Sequence, residues 1–316
     1  MNDKTYNWVP AISAPEIYPV KILKGQFVSN NGYCPNLPVS AFVNMGWGES
    51  GGVMAVGPEL KPIPDSLNVI WLSYAENKYY SGSFALPKEK ITRLFEDGYI
   101  DHEENNKVTY YYLTLAFTPK GGITLWAVGA KQQIQIATFN ATETKVNPDQ
   151  LKDEERIYLD PAFVQESYIE SIPDSLRTKA KNEGYSPLYW ERALKRYKWN
   201  FGDKAAMLYE LNASYVNAER EHLFGEDLKN NQIKERALPQ TIYLYWLDEK
   251  KQMMISEIQF DPEETRQVFT GLTPEQSGTL AFEIERSKYK IKPFLQIGKR
   301  AIPFQKVKIK TEISSN

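Results

Sequence analysis

Two histidines and one cysteine are all that this 316-residue chain offers for proton relay, soft-metal ligation or thiol chemistry. His102 stands in Asp101-His102-Glu103-Glu104 and His222 in Glu219-Arg220-Glu221-His222. Acidic neighbours raise an imidazole pKa, and Asp101, His102 and Glu104 could in principle hold a metal ion. The plainer reading of both histidines is a solvated polar segment. A Ser-His-Asp hydrolase needs an activated serine beside one of them, and no Gly-x-Ser-x-Gly elbow occurs. Cys34 lies in the turn-like run Asn31-Gly32-Tyr33-Cys34-Pro35-Asn36 and reads as an inert thiol; alone, it can form neither an internal disulfide nor a cysteine-rich metal site. No catalytic residue, metal site or cofactor is assigned, and the chain reads as non-enzymatic.

The most unusual segment is Gly46-Trp47-Gly48-Glu49-Ser50-Gly51-Gly52. Without a following Gly-Lys-Ser/Thr it is no phosphate-binding loop. It reads either as a glycine-rich turn around a buried Trp47 or as a contact loop. In the second case Trp47, Gly48, Glu49 and Ser50, with the hairpin tip Glu76, Asn77 and Lys78, are the candidate partner-binding residues. Tyr74, Tyr79, Tyr80 and Tyr110 to Tyr112 could form a platform for sugar or protein, although strand packing explains them as well. The paired carboxylates Asp248-Glu249 and Glu263-Glu264 fall in a turn and a helix cap, away from any glycosidase pattern.

Composition narrows the partner class. A net charge of -2, with charged residues at 25% mixed along the chain, lacks the concentrated basic surface that nucleic acid rewards. The longest apolar runs, Leu113 to Phe117 and Ile242 to Leu247, are strand-sized and too short for a membrane-spanning helix. The start Met1-Asn2-Asp3-Lys4-Thr5 has no signal-peptide core, and the sequence alone leaves the compartment open.

The elements that must position these residues come in two similar sets. Pro64-Asp65-Ser66-Leu67-Asn68-Val69-Ile70-Trp71-Leu72 resembles Pro239-Gln240-Thr241-Ile242-Tyr243-Leu244-Tyr245-Trp246-Leu247, and the spacing from Trp71 to Trp246 also carries Ser81 to Ser256, Pro87 to Pro262, Glu89 to Glu264 and Leu94 to Phe269. A slightly shorter spacing pairs Leu113 with Phe282, Leu115 with Ile284, Leu125 with Phe294, Val128 with Ile297 and Gly129 with Gly298. Upstream, Lys4-Thr5-Tyr6-Asn7-Trp8 resembles Lys195-Arg196-Tyr197-Lys198-Trp199. Each copy reads as a hairpin about Ala75-Glu76-Asn77-Lys78 or Asp248-Glu249-Lys250-Lys251, a short helix opened by Pro87 or Pro262, and further strands. In the first copy a second hairpin turns at Pro119-Lys120-Gly121-Gly122, where the glycines can supply positive φ. Asp261 and Glu264 stand in capping-box spacing. Between the copies, Asp174 to Glu183 and the run after Ser186-Pro187, with Trp190, Ala193, Leu194 and Tyr197 inward, read as helices expected to pack on the sheets. Lys204 to Phe224 reads two ways, Ala205-Ala206-Met207-Leu208 favouring helix and Ser214-Tyr215-Val216 favouring strand, and helix is preferred. The fold expected is therefore mainly β (α+β): two tandem related antiparallel sheet or sandwich domains at 1–145 and 195–316, each with a short helix, joined by a helical linker at 146–194.

Two strings in the first copy carry a family resemblance. Ile63-Pro64-Asp65-Ser66-Leu67-Asn68-Val69-Ile70-Trp71-Leu72-Ser73 and Leu113-Thr114-Leu115-Ala116-Phe117-Thr118-Pro119-Lys120-Gly121-Gly122-Ile123-Thr124-Leu125-Trp126-Ala127-Val128-Gly129 resemble, in order, the signatures of an uncharacterised bacterial domain found mostly in Gram-negative lipoproteins. The likeness spans about residues 5–142, and 195–316 is a degenerate second copy. Some members are encoded beside lipase effectors of type VI secretion systems. The resemblance thus implies an immunity protein that binds and neutralises a secreted toxin, with a phospholipase as the effector class. It also implies a periplasmic lipoprotein whose lipid anchor is absent from this chain, the cytoplasm being the alternative. The family has no assigned activity, so no catalytic residue carries over. A glycan-binding surface lipoprotein is the rival from another class, and an enzyme using His102 or His222 is the third.

Overall fold

The computed structural model describes residues 4–39, 42–53, 55, 57–102, 105–203 and 208–314. The chain is mainly β, with short helices. It divides into two compact units, one ending at Trp190 and one beginning at Glu191.

In the first unit, alternation makes the strands: Leu67, Val69 and Trp71 are buried while Ser66, Asn68 and Ile70 between them are half-exposed. Their strand, Ser66–Ser73, pairs antiparallel with Val20–Val28 on one side and Lys78–Ala85 on the other, and Thr142–Thr144 completes the sheet. A second sheet is built on the hairpin of Tyr112–Thr118 and Gly122–Val128, extended by Gln133–Asn140. Its other side is closed by Val9–Ser13, which runs parallel to Tyr112–Thr118. The two sheets share one core in which Trp8, Ile22, Phe27 and Trp71 meet Leu113, Leu115, Phe117 and Leu125. Only the parallel pair departs from the antiparallel expectation.

The second unit repeats this plan. Leu208–Tyr215, Pro239–Leu247, Met253–Gln259 and Lys308–Ile313 form one antiparallel sheet. Tyr197–Asp203 runs parallel to Gly278–Glu285, which pairs with Lys290–Ile297 and then Arg300–Pro303. Arg220–Phe224 and Lys234–Arg236 are additions, one to each sheet. The correspondence reaches single rungs. Trp71 faces Ile22, and Lys24 is the next paired residue, so Leu23 is extra; Trp246 faces Leu208, and Glu210 follows, so Tyr209 is extra. The two units therefore carry the same β-bulge beside the same tryptophan. The parallel rungs Leu113 with Pro10 and Leu280 with Phe201 likewise put Trp8 at the place of Trp199, as the sequence match has it.

The ladders correct several sequence pairings. Ser81 faces Ile70, and the residue facing Tyr245 is Ile255, so Ser81 occupies the place of Ile255 and Gly82 that of Ser256. The hairpin turn of the second unit is one residue shorter, and every later match moves by one. The helices agree: Ile91 and Phe95 are buried in Lys88–Asp97, and Thr265 and Phe269 in Pro262–Phe269, so Phe95, not Leu94, is the counterpart of Phe269. In the later hairpin, the parallel rungs put Leu113 at the place of Leu280 rather than Phe282 and Leu115 at that of Phe282 rather than Ile284. The core-facing series there is Ile291 and Leu295, so Phe294 does not stand for Leu125.

Local expectations fare unevenly. Asp261 Oδ1 accepts from Glu264 N at 2.9 Å, whereas the Glu264 carboxylate takes the backbone N–H groups of Gln305 and Lys306, so only half of the capping box forms. Pro87 precedes its helix as a cap without a side-chain bond, and Pro262 opens the second helix. At the 119–122 turn the positive φ falls on Lys120 and Gly121, not on Gly122. The stretch read as helix from Lys204 is strand from Leu208 to Tyr215 and again from Arg220 to Phe224, while 204–207 lies outside the described residues. Burial decided it: Leu211, Ala213 and Tyr215 alternate inward, a period of two rather than 3.6.

Pro161–Ser171 and Asp174–Asn182 are helices, and Leu188–Ala193 is a short third in which Trp190 and Ala193 are buried. Tyr197 begins the next strand instead. In the first unit this segment caps one end of the outer face of the Trp71 sheet, where Val164, Tyr168, Ile172, Ala180 and Trp190 pack with Tyr18, Leu72 and Tyr74. Tyr79 donates to Tyr158 O at 2.6 Å, and the Lys21 ammonium lies 4.3 Å from the centroid of the Tyr158 ring. Lys21 is buried, and desolvation lowers its pKa.

Candidate functional site

The Trp47 loop is stapled to the first unit. Gly48 N donates to Ser13 Oγ at 3.1 Å, and Gly48 O accepts from Gln133 Nε2 at 3.0 Å. The Ser50 and Thr114 hydroxyls are 2.8 Å apart. Trp47 is half-buried, stacked edge-on against Trp126 at 5.3 Å, and joins the aromatic cluster under the helices. In this loop Glu49 alone of the four candidates is exposed. At the hairpin, the Glu76 carboxylate is 2% exposed and ties the turn together, accepting from Ser73 Oγ at 2.9 Å, Tyr80 OH at 2.9 Å and Lys120 N at 3.2 Å. Asn77 takes positive φ, as an Asx residue does readily, and donates to Pro161 O; Lys78 pairs with Glu143 at 2.6 Å. Most of these side chains are thus spent on the protein's own structure.

The tyrosine platform is equally internal: Tyr74, Tyr80 and Tyr110 are buried, Tyr79 and Tyr112 are half-buried, and Tyr111 is exposed. Cys34 is exposed in its turn. The metal site imagined at Asp101, His102 and Glu104 falls partly outside the described residues, and among those described no group of three or more His, Cys, Asp or Glu is placed to hold a metal ion.

His222 overturns the solvated-loop reading. It sits on Arg220–Phe224, is 6% exposed, and its Nε2 is 2.9 Å from Glu210 Oε1. Beside it Glu221 is buried too, and accepts from Arg236 Nε at 2.8 Å, Arg236 Nη2 at 3.0 Å and Tyr215 OH at 2.6 Å, with Lys234 Nζ at 2.9 Å. Burial alone would raise the Glu221 pKa, but the hydrogen bonds and charge of Arg236, reinforced by Lys234, outweigh it and bring the value down to about 2. Because Glu221 and Arg236 stand on strands of different sheets, this fork closes one end of the second sandwich.

What sequence reading missed lies on the outer face of the Trp71 sheet, beyond the helical cover. A groove of about 480 Å³ opens there over Lys24, Gly25, Gln26, Asn68, Val69, Ile70, Ser81, Gly82, Ser83 and Thr142. Its outward side chains form two cross-strand rows, Gln26, Asn68 and Ser83 in one, Lys24, Ile70, Ser81 and Thr142 in the other. Lys24, Gln26, Asn68, Ser81, Ser83 and Thr142 have no side-chain hydrogen bond or ion pair among the described residues. Backbone glycines form part of the floor: Leu37 Cδ1 stands 2.6 Å from where a Gly25 Cβ would be, and the Phe84 ring takes the corresponding space at Gly82.

The same rungs of the second unit are filled. Asn212, Tyr243 and Glu257 stand for the first row, and Glu210, Tyr245, Ile255 and Glu312 for the second. Several satisfy one another or near neighbours: Asn212 donates to Glu210 at 2.9 Å, Gln259 to Glu257 at 2.7 Å, and Lys310 pairs with Glu312 at 2.7 Å. Comparing the copies at corrected register would have exposed the groove in the sequence, because small residues in one copy face large ones in the other.

The first unit and its helical cover also bound the kinship of the chain. The family described as protein of unknown function, DUF2931, matches residues 1–185. The chain belongs to the DUF2931 family. The DUF2931 match runs past the residue near 142 where the sequence likeness stops, and takes in Pro161–Ser171 and Asp174–Asn182 of the helical cover. No curated protein and no solved structure matches the chain.

Proposed function

We propose that this DUF2931 protein is a non-enzymatic binding protein whose partner is another protein, and that it acts as an immunity protein capturing a type VI secretion effector, a phospholipase being the class to try first. The observation that supports the reading is the groove, a sheet floor carrying six polar side chains with no side-chain partner among the described residues, while the same rungs of the second unit carry larger side chains that in part pair with one another. Polar groups left open on a sheet floor suit recognition, since a partner can pair with them without breaking bonds they already make. The family resemblance supplies the effector class, and with it the periplasm, as a lipid-anchored lipoprotein, as the place of action. Glycan capture has less support, because Tyr74, Tyr80 and Tyr110, which it would use, are buried.

The experiment is to co-express the chain with the product of the neighbouring reading frame and measure the affinity of the purified pair. An immunity protein should bind at nanomolar Kd or tighter, a free energy of about -12 kcal/mol or beyond, and should protect cells from the effector. Micromolar binding to every lipase effector tried, without protection, would sink the reading.

A further inference from the structure

We infer that the groove seats an extended, acidic segment of the partner protein, laid along the strands of the Trp71 sheet; this rests on the binding function proposed above and names what that site takes. Three observations converge. Charge comes first: among the ten residues lining the groove Lys24 is the one charged side chain, exposed, with no ion pair among the described residues and no carboxylate in the lining. A ligand carboxylate therefore meets a cation and no like charge.

Chemistry is the second. Gln26 and Asn68 are direct cross-strand neighbours, and each amide offers both donor and acceptor, which is what a peptide group requires. No aromatic ring lines the groove, so the stacking surface typical of sugar sites is missing.

Spacing is the third. The two rows lie two residues apart along each strand, roughly 7 Å, which is also the interval between same-side side chains of an extended peptide. A segment running with the strands therefore sets alternate side chains over the Lys24 row and the Gln26 row. Ser81 and Ser83 leave the room that Ile255 and Glu257 take up in the second unit.

The test uses the full chain and a graft in which three groove residues take the identities at the same rungs of the second unit, Asn68→Tyr, Ser81→Ile and Ser83→Glu. Immobilised wild type, graft and Lys24→Glu are each exposed to a phage-displayed library of linear dodecapeptides and to an array of neutral and uronic-acid glycans. Wild type should enrich peptides with a carboxylate two residues from a neutral polar side chain, and the graft and Lys24→Glu should each retain at least tenfold less. If the graft fails to fold, Lys24→Glu, at an exposed position, decides alone. No enrichment, equal enrichment on the variants, or retention of uronic-acid glycans in place of peptides overturns the inference. An effector bound equally by wild type and graft overturns it too while leaving the immunity reading intact. Acidic peptides held by the groove alongside no effector binding at all would do the reverse.

Discussion

Glu221→Gln removes one negative charge from a place where four donors converge on it. Arg236 is 3% exposed, and besides Glu221 its guanidinium meets neutral acceptors, Trp199 O at 2.5 Å, Gln232 O at 3.2 Å and the Tyr215 hydroxyl, with the Trp199 and Phe201 rings stacked nearby. The variant thus leaves a buried cation with neutral acceptors alone, a loss of about 3 to 5 kcal/mol at pH 7. The pKa gives an independent figure. A carboxyl held at about 2 against an ordinary 4.5 favours the folded state by about 3 kcal/mol once ionised in both states. Because the folded value is the lower one, that contribution is complete above the unfolded pKa and disappears as pH falls from about 4.5 through about 2. Urea unfolding of wild type and variant between pH 7 and pH 2 measures both quantities. The stability gap should be full at pH 7 and close steadily below pH 4.5. A gap under about 1 kcal/mol at pH 7, or one that does not change with pH, would show that Glu221 and Arg236 are not the clip described.

Three smaller effects follow, two of them from differences between the copies. Asp261→Ala should cost about 1 kcal/mol by removing a cap bond, whereas Pro87→Ala, where no side-chain cap exists, should change thermal stability by much less. Ser256→Ala should cost about 1 to 3 kcal/mol because Trp246 Nε1 donates to Ser256 Oγ at 3.0 Å inside the core; equal stability in denaturant would contradict that bond. Gly98→Ala should destabilise by more than about 1 kcal/mol, since φ is +52° and a Cβ there would stand 2.2 Å from Val108 O; an unchanged melting temperature would refute the strain.

Much of the fold was legible because the duplicated strands alternate strongly. Leu67, Val69 and Trp71, and Ile242, Leu244 and Trp246, declare their inward faces without help. Register was harder. Ser81 and Ser256 match as letters, yet with a side-chain period of two a single missing turn residue puts them on opposite faces. That slip hid the groove, whose residues become unusual only against their true counterparts. It also hid why Trp71 Nε1 lacks a partner in the first unit, since Gly82 stands where Ser256 serves Trp246. The burial of Glu221 and His222 could not be read locally, because their partners Arg236 and Glu210 arrive from other strands. The parallel strand Val9–Ser13 was illegible for a related reason: its partner Tyr112–Thr118 lies beyond three intervening strands of the other sheet.

The supernumerary Leu23 sets the phase of everything after it on its strand. Ile22 and Phe27 both point inward although an odd number of steps separates them, which strict alternation forbids and one inserted residue permits. Pairing Leu23 as an ordinary rung would rotate Lys24 and Gln26 into oil and swing Gly25 toward water, erasing the binding face by arithmetic rather than by chemistry. Tyr209 holds the same office in the second unit, so one device governs two surfaces of opposite character.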